Sequence, residues 1–183
     1  MNLKPKSQKI ALKKLLDKIF PDYNLITEGR FEWGNVPKNA DEVFHYIYEP
    51  LHNYRGFTAE QFAKQRAINY DFVINEIKLI IEYDEKQHFS IPRKISLENY
   101  PDDIQLNFDK KYWISECERI HARDNDPIYR DEQRAFRDSI RDISAFKNGY
   151  TIIRIKHGDY NFEDDQAENN LKQLLKKYKV IKS

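Results

Sequence analysis

The sequence predicts a single α/β domain spanning residues 1–183, with a small mixed β-sheet flanked by helices. Three observations predict it. Two runs of β-branched and aromatic residues, Asn69–Ile74 (NYDFVI) and Lys78–Asp84 (KLIIEYD), are separated by a short polar connection, the pattern of a hairpin. A third such run, Thr151–Lys156 (TIIRIK), follows the Asn148-Gly149 turn signal. Around these strands, apolar residues recur at helical spacing.

In chain order, Ser7–Phe20 reads as an amphipathic helix with Ile10, Leu12, Leu15, Leu16 and Ile19 on one stripe, Ser7 as N-cap and Pro21 as stop. Tyr23–Ile26 and Arg30–Trp33 read as short strands on either side of Glu28-Gly29. Residues 34–65 carry prolines, glycines and scattered aromatics, with a short helix expected over Ala59–Arg66 behind Thr58. After the hairpin, helices are expected over Asp103–Glu118 and Arg130–Lys147. A last helix, Asp164–Tyr178, turns Leu171, Leu174 and Leu175 inward.

Composition narrows the functional classes. Of the 183 residues 40% are hydrophobic and 33% charged, yet eleven Phe, twelve Tyr and two Trp argue against a disordered chain, which lacks bulky groups to bury. Thirty-one basic and thirty acidic residues give a net charge of +1, so global basicity neither announces nor excludes a nucleic acid. Charge is uneven: residues 1–20 hold six lysines and one aspartate, and the last twelve hold five lysines and no acid. Such ends are either solvated helix faces or basic flanks that grip a polyanion. One cysteine rules out an internal disulfide framework and suits a reducing compartment. The longest apolar runs, such as Leu79-Ile80-Ile81, are far short of a membrane span, and no secretory pattern follows the N-terminal lysines. A cytoplasmic protein with no membrane partner is expected. No Gly-rich phosphate loop is present, and a homodimer is compatible with the sequence, which does not reveal the oligomeric state.

The hairpin carries an acidic constellation. If Ile74 and Leu79 close a four-residue loop, Asp71 lies opposite Glu82, and strand alternation puts Asp84 on the same face as Glu82. Facing carboxylates repel and are costly to desolvate, so they need a compensating cation, and oxygen-only ligands suit a hard ion such as Mg²⁺. The bland alternative is a solvated sheet face paired with Lys78 or Lys86. In the helix over 130–147, Arg134, Arg137, Asp138 and Arg141 share one face. They are either a salt-bridged surface or a phosphate-contacting stripe. Cys117 and His121 stand four apart without a second pair, which favours a structural role over a metal site.

Glu82-Tyr83-Asp84-Glu85-Lys86-Gln87-His88-Phe89 resembles the IEYDGxQHF signature of phage and bacterial nucleases in the PD-(D/E)XK superfamily. Asp71-Phe72-Val73-Ile74 is similar to the aspartate-bearing strand before that signature. Arg137-Asp138, Asn148-Gly149 and Ile152-Ile153-Arg154-Ile155 follow the family's closing pattern. The most similar branch is that of very short patch repair and EDxHD homing endonucleases. The resemblance covers residues 69–89 and 134–155. It implies a restriction-endonuclease-like fold, with residues 90–130 as an insertion, and a metal-dependent DNA endonuclease using Mg²⁺ or Mn²⁺.

On that resemblance Asp71 and Glu82, helped by Asp84, would hold the ion. His88 would be the general base or position the water, and Gln87 would orient water or phosphate. Asp138 would orient His88 or support the ion, and Arg134, Arg137 and Arg141 would contact DNA. The chain departs from the family in three places: the usual lysine is Asp84, the Gly after it is Glu85, and the N-terminal-helix glutamate is replaced by Gln8 and Lys9. Glu28 is the nearest substitute for that glutamate. These departures sustain a rival expectation, a DNA-binding module whose catalysis has lapsed. A protein-interaction domain, hinted at by the acidic segment 21–60, is the third.

Overall fold

The computed structural model describes residues 3–58, 60 and 67–182. Asn75-Glu76-Ile77 form one 3-10 turn and Lys78 takes a left-handed backbone (φ 49°), a conformation uncommon outside glycine. This brings Ile74 opposite Leu79 and closes a four-residue connection, the case in which the sequence sets Asp71 opposite Glu82.

The sheet has four strands, β1 (Leu25–Gly29), β2 (Tyr70–Ile74), β3 (Leu79–Asp84) and β4 (Thr151–Lys156), in the order β1-β2-β3-β4. β1–β2 and β2–β3 are antiparallel. β3–β4 is parallel, in register from Leu79 opposite Thr151 to Asp84 opposite Lys156. A parallel neighbour requires a long crossover, and the chain between β3 and β4 supplies it as helices. The helices are α1 (Pro5–Ile19), α2 (Ala40–Val43), α3 (His45–Arg55), α4 (Ile91–Glu98), α5 (Lys110–Ile120), α6 (Arg130–Lys147) and α7 (Ala167–Lys177).

Two apolar layers enclose this sheet. Leu12 and Leu16 of α1 and Leu171 and Leu175 of α7 pack with Phe72, Ile74, Leu79, Ile81, Ile153 and Ile155. On the other side, Phe136, Ile140 and Ile143 of α6 pack with Val73, Ile80 and Ile152, backed by α3, α4 and α5. β3 is therefore buried along its whole length, and any charge it carries must find a partner inside the protein. The architecture is mixed α/β, and among the described residues no helix is long and apolar enough to cross a membrane.

Several local expectations shift. Arg30–Trp33 is not a strand: Phe31 and Trp33 stack at 4.3 Å, and Glu32–Gly34 coils into a 3-10 turn. Gly34 is required there, because a Cβ would meet the Tyr70 hydroxyl at 2.5 Å. β1 begins two residues later than expected, at Leu25. α1 begins at Pro5, a good first-turn residue, so Ser7 is not the N-cap; its hydroxyl donates to the Lys4 carbonyl instead. The helix expected from Asp103 starts only at Lys110, because Asp109 caps it by accepting from the Tyr112 amide. α4 lies in the stretch expected to be an insertion, with Pro92 in its first turn and Ser90 accepting from the Arg93 amide. The helix expected over 59–66 falls largely on residues outside those described.

Candidate functional site

The β2–β3 ladder runs through Ile74/Leu79, Val73/Ile80 and Phe72/Ile81, and its next register position pairs Asp71 with Glu82. There side chains replace the ladder. Glu82 Oε1 accepts from the Asp71 amide at 3.1 Å, and Asp71 Oδ2 accepts from the Tyr83 amide at 2.8 Å. The strands fork at this point and both carboxylates fill the gap. Covalent geometry keeps a carboxylate within about 4–5 Å of its own amide nitrogen, so the two acids lie within about 8 Å of each other.

They do not share a sheet face in the way simple alternation predicts. Tyr70 and Val73, three apart, both pack in the α6-side core, so alternation breaks between them at Asp71. Opposite this break, Glu28 of β1 has a left-handed backbone (φ 53°). Asp71 consequently leans towards α1, where Lys9 Nζ donates to Oδ1 at 2.8 Å. Glu82 faces α6, with Arg141 Nε 3.5 Å from Oε2. Glu82 is only 4% exposed. Burial pushes its carboxyl up to about 8; Arg141 opposes that rise and Asp71 adds to it.

His88 lies on the 3-10 turn Lys86–His88 that follows β3. Its Nδ1 is 2.8 Å from Asp138 Oδ2 and 3.7 Å from Asp84 Oδ1. The other Asp138 oxygen accepts from Arg141 Nη1 at 2.8 Å. Burial alone would raise the Asp138 carboxyl, but His88 and Arg154 hold it well below the usual carboxylate range. Asp84 is 1% exposed and has both oxygens occupied, Oδ1 by Arg154 Nη1 at 2.7 Å and Oδ2 by Trp113 Nε1 at 3.1 Å. Arg154 also donates to Asp142 at 2.7 Å, which in turn accepts from Arg93 and Tyr100. Asp84 thus anchors this buried ionic network, whereas Asp71 and Glu82 meet at the fork. Gln87 donates from its side chain to Glu85, and its carbonyl accepts from Arg134.

The α6 face is salt-bridged at its rear and concave at its front. Arg134 is tied to Asp124 and Asp131, and Arg141 to Asp138 and the Asn69 carbonyl. Arg130, Arg134, Arg137 and Arg141 line a pocket of about 350 Å³ together with His88 and Gln133. Burial, with Arg141 and Arg130 nearby, lowers the pKa of Arg137 from its usual value. A second, open groove of about 570 Å³ lies on the α1 side, with Lys6, Lys9, Lys13, Glu28, Asp71 and Glu85 among its lining residues.

Lys9 is the site residue that sequence reasoning missed. The signal was available: Lys9, Leu12 and Leu16 lie three and four apart on one helical stripe, which aims the lysine at the sheet. Its neighbour Gln8 has a different duty, donating to Asn161 and Glu163 and accepting from the Phe162 amide. Glu28 accepts from the Asn69 side chain at 3.0 Å on the rim of the groove.

Among the described residues no three His, Cys, Asp or Glu side chains converge as a ready-made metal cage. The two carboxylates at the fork are oxygen donors of the kind that a hard cation such as Mg²⁺ takes while keeping several of its waters. Cys117 is buried in the core, while His121 is exposed at the C-cap of α5, where its Nε2 lies near Arg123. No family model matches the chain, and neither a curated protein nor a solved structure shows significant similarity to it.

Proposed function

We propose that this chain is a divalent-cation-dependent DNA endonuclease on a restriction-endonuclease-like fold. The observation that carries the reading is the fork, where the carboxylates of Asp71 and Glu82 replace the strand ladder and are held by backbone amides. Two facing acids in place of a strand ladder are electrostatically costly, and a divalent cation bound between them would offset that cost. Asp71 and Glu82 are the groups that would hold Mg²⁺ or Mn²⁺; such an ion lowers the pKa of water and offsets charge developing on phosphorus.

The protein's own groups do the rest. Asp138 holds the Nδ1 side of His88 and leaves Nε2 to take a proton from the attacking water. Arg134, Arg137 and Arg141 bind phosphate oxygens, and the acids behind Arg134 and Arg141 fix their guanidinium planes before DNA arrives. Gln87 keeps the turn before His88 in place through its carbonyl bond to Arg134. Asp84 belongs to the supporting network in this reading: its oxygens are held by Trp113 and by Arg154, itself fixed by Asp142, whereas one oxygen of Asp71 is held by a lysine beside an open groove. Incubation of supercoiled plasmid with Mg²⁺ or Mn²⁺, with Asp71→Asn as comparison, tests it.

One observation favours a second reading, a DNA-binding module without catalysis. Lys9 sits on Asp71 and Arg141 lies beside Glu82, so protein cations already meet both acids. A mobility shift on duplex DNA with no cleavage under any divalent cation would select it.

A further inference from the structure

Lys9 occupies an unusual position for a lysine. It shares its helical stripe with Leu12 and Leu16, both fully buried, yet it remains 31% exposed on the wall of the α1 groove. Its Nζ donates to Asp71 Oδ1 at 2.8 Å, while Glu85 and Glu82 contribute to the field at the same ammonium. The two partners of this pair differ in freedom. Asp71 is on a strand with Oδ2 tied to the Tyr83 amide, whereas Lys9 has a four-carbon stem and an open groove beside it. The neighbouring guanidiniums are fixed: Arg141 by Asp138 and the Asn69 carbonyl, and Arg154 by Asp84 and Asp142. Among the cations at the fork, Lys9 is therefore the one built to change partners.

We propose that Lys9 is a catalytic residue of this site, held on Asp71 until a divalent cation takes its place there, and then contacting a non-bridging oxygen of the phosphate bound at the fork. The assignment rests on the nuclease reading above. Charge arithmetic favours the exchange. Once Glu82 has released its proton to solvent, Asp71 and Glu82 together carry two negative charges, which one divalent cation neutralises, and the ammonium released from Asp71 then matches the single charge of a phosphodiester. Lys9 keeps its proton throughout. Its three N–H donors, once freed from Asp71, can reach phosphate oxygens that gain charge in the transition state.

The test uses the full chain and two readouts, calorimetric binding of Mn²⁺ and plasmid cleavage with Mg²⁺. Lys9→Met and Lys9→Gln remove the competitor for Asp71, so Mn²⁺ should bind about three- to fivefold more tightly, the worth of one partly exposed ion pair. Cleavage should fall by ~10²–10³-fold, the usual loss of one charge-stabilising donor. Lys9→Arg should recover part of the cleavage. Lys18→Met breaks the α1–α7 ion pair with Glu168 away from the fork and reports what loosened seating of α1 does alone. It should change neither readout. Tighter Mn²⁺ binding together with lost cleavage in both uncharged variants supports the assignment. Cleavage at the parent rate, or Mn²⁺ affinity that falls together with cleavage, overturns it. A parent protein that binds and cuts while Lys9→Met cuts equally well overturns only the role of Lys9. A parent that binds no divalent cation overturns the nuclease reading as well.

Discussion

Asp138 Oδ2 lies 2.8 Å from Nδ1 of His88, which leaves Nε2 as the ring nitrogen available in the arginine-walled pocket. A buried carboxylate behind an imidazole fixes its tautomer and its plane, the requirement for a positioned base. His88→Ala should therefore lower plasmid cleavage by ~10²–10⁴-fold, the usual worth of such a base. Calorimetric Mn²⁺ binding should persist, because Asp71 and Glu82 remain. Unchanged turnover would remove His88 from the mechanism.

Asp138 should also be felt as stability. Its folded-state pKa is depressed by His88 and Arg154, so its contribution is present above the unfolded value of about 3.9 and is lost as pH falls through the folded value. Asp138→Asn strands Arg141 and His88 and should cost about 3–5 kcal/mol at neutral pH, as broken buried pairs do. Urea unfolding at pH 7 and pH 3 should show the difference shrinking towards the acid end. An equal difference at both pH values would contradict the pairing.

Glu82 has the opposite sign. Burial raises its folded pKa to about 8, so between the ordinary glutamate value and about 8 the folded protein binds a proton that the unfolded chain lacks. In EDTA, stability should therefore fall as pH rises from 6 to 9, and Glu82→Gln should flatten that dependence. Because a bound cation must displace this proton, Mn²⁺ affinity should rise over the same interval. Thermal melts and calorimetry at pH 6, 7.5 and 9 check both statements.

DNA affinity should be dominated by phosphate contacts through the α6 pocket. Arg137→Ala should weaken binding of unrelated duplexes by similar factors and reduce the slope of log affinity against log salt by about 1. Titrations at several salt concentrations would detect it, and an affinity indifferent to salt would count against a nucleic-acid partner.

The parts of the fold legible in the sequence are those whose signal is local. The β2–β3 hairpin followed from two β-branched runs and a connection whose length set the register of Asp71 against Glu82. β4 followed from Asn148-Gly149, and α6 from its apolar period. α3 was illegible because Pro50 inside it reads as a breaker, and α4 because Pro92 does, although a proline in the first turn is harmless. At the site, alternation placed Asp84 beside Glu82 but did not reveal Arg154. Arg154 reaches it only through the parallel β3–β4 pairing, set by a helical crossover with no local pattern. For Lys9 the helical stripe showed the inward direction but not the partner: Asp71 is 62 residues away, and only the packing of α1 on the sheet unites them.

If Asp71 and Glu82 form a cation site that cuts phosphodiester bonds, cleavage of supercoiled plasmid should separate the parent chain from Asp71→Asn. The parent should give nicked or linear product with Mg²⁺ or Mn²⁺ and none in EDTA, and Asp71→Asn should lose at least about 10²-fold despite intact folding. Equal cleavage by both proteins, or plasmid left intact by the parent with every divalent cation while it still shifts DNA, would contradict this assignment.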